Sequence, residues 1–223
     1  LVEAETSFTA YQEFQSMLTR DRIDIFMVGE FDDYQVLQAL HRFPLEGRQV
    51  DLQFSYSQPY VNVVKEKIEP RQSSQSILQL GYQFPCQYGD KDYFALIVFN
   101  AMFGEFAHSA LFTTLREKEG LAYSISSQFD IFTGLLEVYA GIEKSNRDQA
   151  MRGISRELNY IKLGRFSSSL LNQTKKIIRM NALLSEDHAL TLVEQRFNKV
   201  IFGDKSLSLE NWLDEIEKVT KKD

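Results

Sequence analysis

The chain has 223 residues, 43% of them hydrophobic, and a formal net charge of −6, which is enough apolar content for a real core in one domain or a domain with an attached subdomain. The acidic balance argues against nucleic acid or an anionic membrane as the main partner, because a phosphate-binding face needs clustered Lys and Arg; a basic peptide is a more compatible ligand. The single cysteine, Cys86, excludes an intrachain disulfide and most thiolate metal sites, and it fits a reducing cytosol or a secreted chain.

Apolar residues at Phe8, Tyr11, Phe14, Met17 and Leu18 recur at three and four and predict a helix over 6–20 that buries one face. Residues 23–29 are a β-branched and aromatic run ending at Gly29, read as a buried strand, after which Asp32 or Asp33 caps a helix reaching Leu40 or His41. Residues 43–59 carry Pro44, Gly47 and Pro59 without periodicity and read as a connecting loop. Strands are predicted at 60–66 and 76–82, with a polar turn at 70–74; the apolar centre Ile77, Leu78 and Leu80 points to a central place in a sheet for the second. Asp90 then caps a helix with Phe94, Ile97, Val98, Ala101 and Met102 on its apolar face, closed by Gly104.

An amphipathic helix starting near Ser109 presents Arg116 and stops at Gly120, and strands at 123–129 and 135–141 follow as a hairpin around Gly134. Helices at about 146–163, 167–184, 187–201 and 209–221 complete the chain. The class is α+β, a two-layer mixed β-sheet packed by helices rather than a doubly wound sheet. Residues 1–50 read as a strand-helix segment leading into a main domain at 51–223. No run of about 18 apolar residues occurs, so no membrane helix is predicted, and the start does not look like a signal peptide; the expected location is cytoplasmic. A start at Leu1 rather than Met points to a fragment or a processed product.

The three histidines, His41, His108 and His188, are far apart, and none lies three or four residues from a second His or a Cys, so no zinc motif of the H-x-x-H kind is present. The serine-nucleophile, P-loop and dinucleotide signatures are also missing. Cys86 reads as a small hydrophobe or a surface thiol rather than a nucleophile. The acidic pairs Asp32-Asp33 and Glu117/Glu119 read as caps and solvated helix faces, and Lys175, Lys176 and Arg179 as a solvated basic face. Arg116 and Tyr123 remain. A guanidinium in the last turn of a helix and a phenol early in the next strand can converge on one carbonyl or oxyanion. Equally, Arg116 can cap its own helix while Tyr123 serves as a strand aromatic.

Residues 103–124, Phe-Gly-Glu-Phe-Ala-His-Ser-Ala-Leu-Phe-Thr-Thr-Leu-Arg-Glu-Lys-Glu-Gly-Leu-Ala-Tyr-Ser, resemble the second-domain signature of the insulinase, pitrilysin and mitochondrial processing peptidase family of zinc metallopeptidases. The resemblance extends to the Val28-Gly29 turn with Asp32, the Gln75 to Gly81 strand and the helix after Asp92, and covers most of residues 10–205. It implies one half of a clam-like fold in which the first half carries an inverted H-x-x-E-H zinc motif with a distal Glu. The second half carries an Arg and a Tyr, matched here by Arg116 and Tyr123, as accessory contacts to the substrate carbonyl.

This chain has no zinc motif, so it holds no cofactor and is expected to be inactive by itself, with zinc only on a partner half. The implied partners are the N-terminal half or a homologous peptidase subunit, and an extended peptide. His108 and Ser109, within a stretch similar to bacterial zinc-less members that pair with an active homologue, are weaker substrate contacts. The chain is therefore the second half of a peptidase or a non-catalytic partner or scaffold. A purely structural use, as in core subunits of respiratory complexes, has little support in an acidic chain without a membrane segment.

Overall fold

The computed structural model describes residues 5–43, 61–185 and 188–223. In chain order these form α1 (Ser7–Arg20), α2 (Asp33–Leu40), β1 (Ser76–Gln83), α3 (Tyr93–Asn100), β2 (Ala122–Asp130), β3 (Leu135–Ile142), α4 (Arg147–Lys162), α5 (Ser168–Leu184), α6 (Ala189–Phe202) and α7 (Leu209–Lys218). Two wide, π-type helical stretches, Ala101–Glu105 and Phe112–Lys118, lie between α3 and β2. The chain forms two compact units, one from residues 1–55 and 186–203, the other from 56–185 and 204–223.

The larger unit is built on a three-stranded antiparallel sheet of order β1-β3-β2. β3 is central because its alternate residues Leu136, Val138, Ala140 and Ile142 are all buried, so one whole face of it must meet a second layer. That layer comes from the helices. α4 buries Ala150, Gly153, Ile154, Glu157 and Ile161 at helical spacing, α5 buries Leu171, Thr174, Lys175 and Ile178, and α7 buries Leu213 and Ile216. With Val98, Met102, Phe103, Leu111 and Leu115 they close one hydrophobic core. The α+β, two-layer class holds, and the three described strands pair antiparallel throughout rather than in a mixed sheet.

Several local expectations are corrected. β1 lies at an edge of the sheet, and its residues alternate half-buried and exposed, with Ile77 on the open face; the continuous apolar run hid a period of two. No strand forms within 61–66, where Val64 is almost wholly exposed and no neighbouring strand is present among the described residues. Residue 60 and the predicted loop at 44–59 lie outside the described residues. Gly104 does not terminate α3. It sits buried inside the first wide turn, and a Cβ there would stand 2.5 Å from Ser127 Oγ and 2.7 Å from Ser127 N, so β2 approaches more closely than any other residue permits. Asp92, not Asp90, precedes the helix; Asp90 instead accepts the Gln87 N–H at 2.8 Å.

The smaller unit contains α1, α2 and α6. Thr6 and Thr9 form a reciprocal cap on α1, and Asp32 caps α2 by accepting the Tyr34 and Gln35 N–H groups at 2.9 and 3.1 Å, as its sequence predicts. Residues 22–28 do not form the expected strand: the described chain carries no ladder there. The apolar face of α1 is not buried either, and the same is true of α2 and α6, although Phe26 meets Phe197 edge-on at 6.3 Å. Among the described residues no helix is long and apolar enough to cross a membrane.

Candidate functional site

The stretch from His108 to Tyr123 is fixed from behind. Ser109 is fully buried; its Oγ accepts the Phe112 N–H at 3.4 Å and its carbonyl accepts the Thr113 hydroxyl at 2.8 Å, closing the helix start. His108 stacks on Phe106 at 5.6 Å, and its Nε2 lies 2.9 Å from Thr174 Oγ1 on α5. Burial lowers the His108 pKa and favours the neutral ring. Leu111 and Leu115 are fully buried, and Leu115 packs where a Cβ on Gly153 of α4 would stand at 3.2 Å.

The end of this helix is wide. Glu119 N–H donates to Thr114 O at 2.9 Å and Leu121 N–H to Leu115 O at 2.8 Å, spacings of five and six residues that suit a π-type turn. Gly120 then adopts φ +62°, a left-handed conformation that favours glycine. Arg156 of α4 locks this reversal: its Nη2 donates to Glu119 Oε1 at 2.7 Å and its Nε to the buried Glu157 at 3.0 Å. Glu119 is thus a bracing residue rather than a freely solvated one. Its partner lies 37 residues away, and no local spacing announces it. Lys175 is a second correction: it is buried, not part of a solvated face, and its Nζ donates to the Glu217 carbonyl at 2.7 Å, satisfying the end of α7.

Arg116 projects from the braced helix with its side chain 43% exposed. Its guanidinium lies 4.6 Å from the Phe112 ring centroid, a cation–π geometry, and its Nε is 3.9 Å from Glu117. Tyr123 lies at the start of β2, where the pairing slips between Ala122 and Ser124. Such a bulge re-aims a side chain, and Tyr123 is half exposed. Its hydroxyl donates to Glu143 Oε1 at 2.7 Å. That bond, with slight burial and the Glu143 charge, raises the phenol pKa, so it keeps its proton at neutral pH. Arg116 and Tyr123 flank one chain reversal and stay reachable, but they engage different carboxylates and no hydrogen bond joins them. Both are cationic or protonated donors able to accept a carbonyl oxygen as a partner.

On the open face of the sheet, Glu137 of β3 accepts Gln79 Nε2 of β1 at 3.0 Å and Gln128 Nε2 of β2 at 3.2 Å. Cys86 is buried, and burial, with the Asp90 and Asp92 charges, pushes its thiol up to about 11, which makes it a poor nucleophile at neutral pH. Among the described residues no group of three or more His, Cys, Asp or Glu is placed to hold a metal ion.

The fold is a helix-backed antiparallel sheet in which Arg116 and Tyr123 stand exposed on either side of the reversal at Gly120. Residues 11–178 match the family model described as the peptidase M16 inactive domain, and the chain belongs to that family. It is 36% identical over 223 residues to the probable inactive metalloprotease YmfF of Bacillus subtilis, covering 100% of this chain and 52% of that protein. It is 24% identical over 213 residues to the uncharacterized zinc protease YmxG of the same organism, covering 93% of this chain and 51% of that protein. A solved protein of Enterococcus faecalis V583 superposes with a TM-score of 0.87 at 36% identity, over 99% of this chain and 52% of the other. The chain spans about half the length of the curated relatives it matches.

Proposed function

We propose that this chain is the substrate-contacting, non-zinc-binding half of a cytoplasmic M16-type protein, with Arg116 donating a hydrogen bond to a backbone carbonyl of an extended peptide and Tyr123 donating a second once its hydroxyl turns from Glu143. Any metal site belongs to the other half or to a homologous peptidase subunit. The observation that supports this reading is the reversal at Gly120, braced by the Arg156–Glu119 pair, with Arg116 exposed on its helix side and Tyr123 half exposed on its strand side. Of the two weaker substrate contacts expected from the sequence, Ser109 is fully buried and so out of a peptide's reach, and with His108, bonded to Thr174, it serves instead to fix the helix that carries Arg116.

A second reading, a non-catalytic partner or scaffold that binds a homologous peptidase or an extended peptide, draws on the likeness to the probable inactive metalloprotease YmfF. Mixing the chain with a zinc-bearing M16 half and following cleavage of a labelled basic peptide separates the two. Cleavage that depends on Arg116 supports the first reading. Peptide or subunit binding without cleavage supports the second, and neither binding nor cleavage refutes both.

A further inference from the structure

We propose that Glu143 selects the peptide at this site: it holds the Tyr123 hydroxyl while the site is empty, and it takes a Lys or Arg side chain of the peptide once that hydroxyl turns to the bound carbonyl. The inference rests on the carbonyl-binding reading above and names the class of peptide the same site prefers, one with a cation beside the bound carbonyl.

Glu143 follows directly on Ile142, the last residue of β3, and its backbone carbonyl accepts the Asn146 N–H at 2.9 Å, so a tight turn fixes the backbone beneath its exposed carboxylate. Ile142 pairs with Ala122 and Gly141 with Ser124, which leaves Tyr123 as the extra residue of the bulge. Such a bulge re-aims the ring, and the phenol donates to Glu143 Oε1 at 2.7 Å. Among the described residues no cation pairs with Glu143: the next arginine along the chain, Arg147, is engaged by Glu66 and Asp148.

A peptide carbonyl that draws the Tyr123 hydroxyl away trades a hydrogen bond to a carboxylate for one to a neutral oxygen. Bonds to ionised groups are about twice as strong as neutral ones, so with an uncharged peptide the exchange is unfavourable and leaves Glu143 without its donor. A lysine ammonium or an arginine guanidinium replaces that donor and tips the exchange back toward binding, whereas an acidic side chain at the same place is repelled. The reach suits this: a carbonyl oxygen about 2.8 Å from the hydroxyl lies within about 6 Å of the carboxylate. A lysine or arginine stem spans that distance from the same residue or its neighbour, residues being about 3.3 Å apart in an extended peptide.

Fluorescence anisotropy tests this on the complex with the other half, using labelled extended peptides that carry lysine or norleucine at successive positions. At one position, or at two adjacent ones, lysine is expected to bind about two- to fivefold tighter than norleucine, less so in added salt. Glu143→Gln, an exposed substitution of nearly equal shape, is expected to bring that ratio to about one with thermal unfolding unchanged. No preference at any position in the wild type, or a preference that survives Glu143→Gln, overturns the proposal. The norleucine peptides with Arg116→Ala read the parent site separately. Weakened binding there without a Glu143-dependent preference counts against Glu143 alone, a Glu143-dependent preference with Arg116→Ala at wild-type affinity counts against the Arg116 carbonyl contact alone, and no binding of any of these peptides refutes both.

Discussion

Replacing Gly104 with alanine probes the closest approach in the fold. The added Cβ would lie 2.5 Å from Ser127 Oγ, 2.7 Å from Ser127 N and 2.8 Å from Ser127 Cβ. Rotating the serine relieves only the first of these contacts, so helix and strand must separate. Overpacking of this kind costs about 1–3 kcal/mol. The shift also disturbs the buried bond from Ser127 Oγ to Asn100 at 2.8 Å, worth about 1 kcal/mol net. Alanine returns about 1 kcal/mol through helix propensity, leaving a loss of about 1–3 kcal/mol. At about 2–4 °C per kcal/mol for a domain of this size, the midpoint falls by about 2–12 °C, measured by calorimetry or near-ultraviolet circular dichroism. Gly153→Ala is the control: the nearest atoms to its Cβ belong to the Leu115 side chain, at 3.2 Å and beyond, with no backbone among them, and its effect is the smaller of the two. A Gly104→Ala midpoint equal to wild type would refute the reasoning.

Two further outcomes follow from the site. The His108 pKa is lowered by burial, so the folded state binds that proton less readily than the unfolded chain. The stability this contributes is fully present above about pH 6.5 and is lost as pH falls through the lower folded value; His108→Gln flattens this part of the stability profile in urea titrations run between pH 5 and 8. Arg156→Ala removes a pair that is 39% exposed on the Arg side, so its stability cost is about 1 kcal/mol or less and falls with added salt. Its clearer signature is faster amide exchange at Gly120 and Leu121, and unchanged exchange there would contradict the bracing role of Arg156.

Local sequence chemistry reported the hairpin, the Asp32 cap and the amphipathic helices well, because each is encoded within a few residues. β1 was misplaced because Ile77 completes an apolar run that the sheet splits between two faces. The stretches at 22–28 and 61–66 carry strand-forming residues, but a strand exists only with a partner, and that is not a local property. At the site, helix, Gly120 and strand order placed Arg116 and Tyr123 on either side of one reversal, while their reading as a pair of substrate contacts came from the family resemblance and remains a proposal. Arg156 and Glu143 were not legible, since each meets its partner across a long sequence separation. Lys175 looked solvated beside Lys176 and Arg179, and only the position of α7 shows why it is buried.

The central claim is that Arg116 and Tyr123 bind a peptide carbonyl. Fluorescence anisotropy with a labelled, extended basic peptide tests it most directly, using wild type, Arg116→Ala and Tyr123→Phe in the complex with the other half. Loss of a charged donor costs about 1.5–3 kcal/mol, so Arg116→Ala should weaken binding about ten- to a hundredfold while thermal unfolding is unchanged, and Tyr123→Phe should weaken it less. Wild-type affinity in both variants would contradict the account.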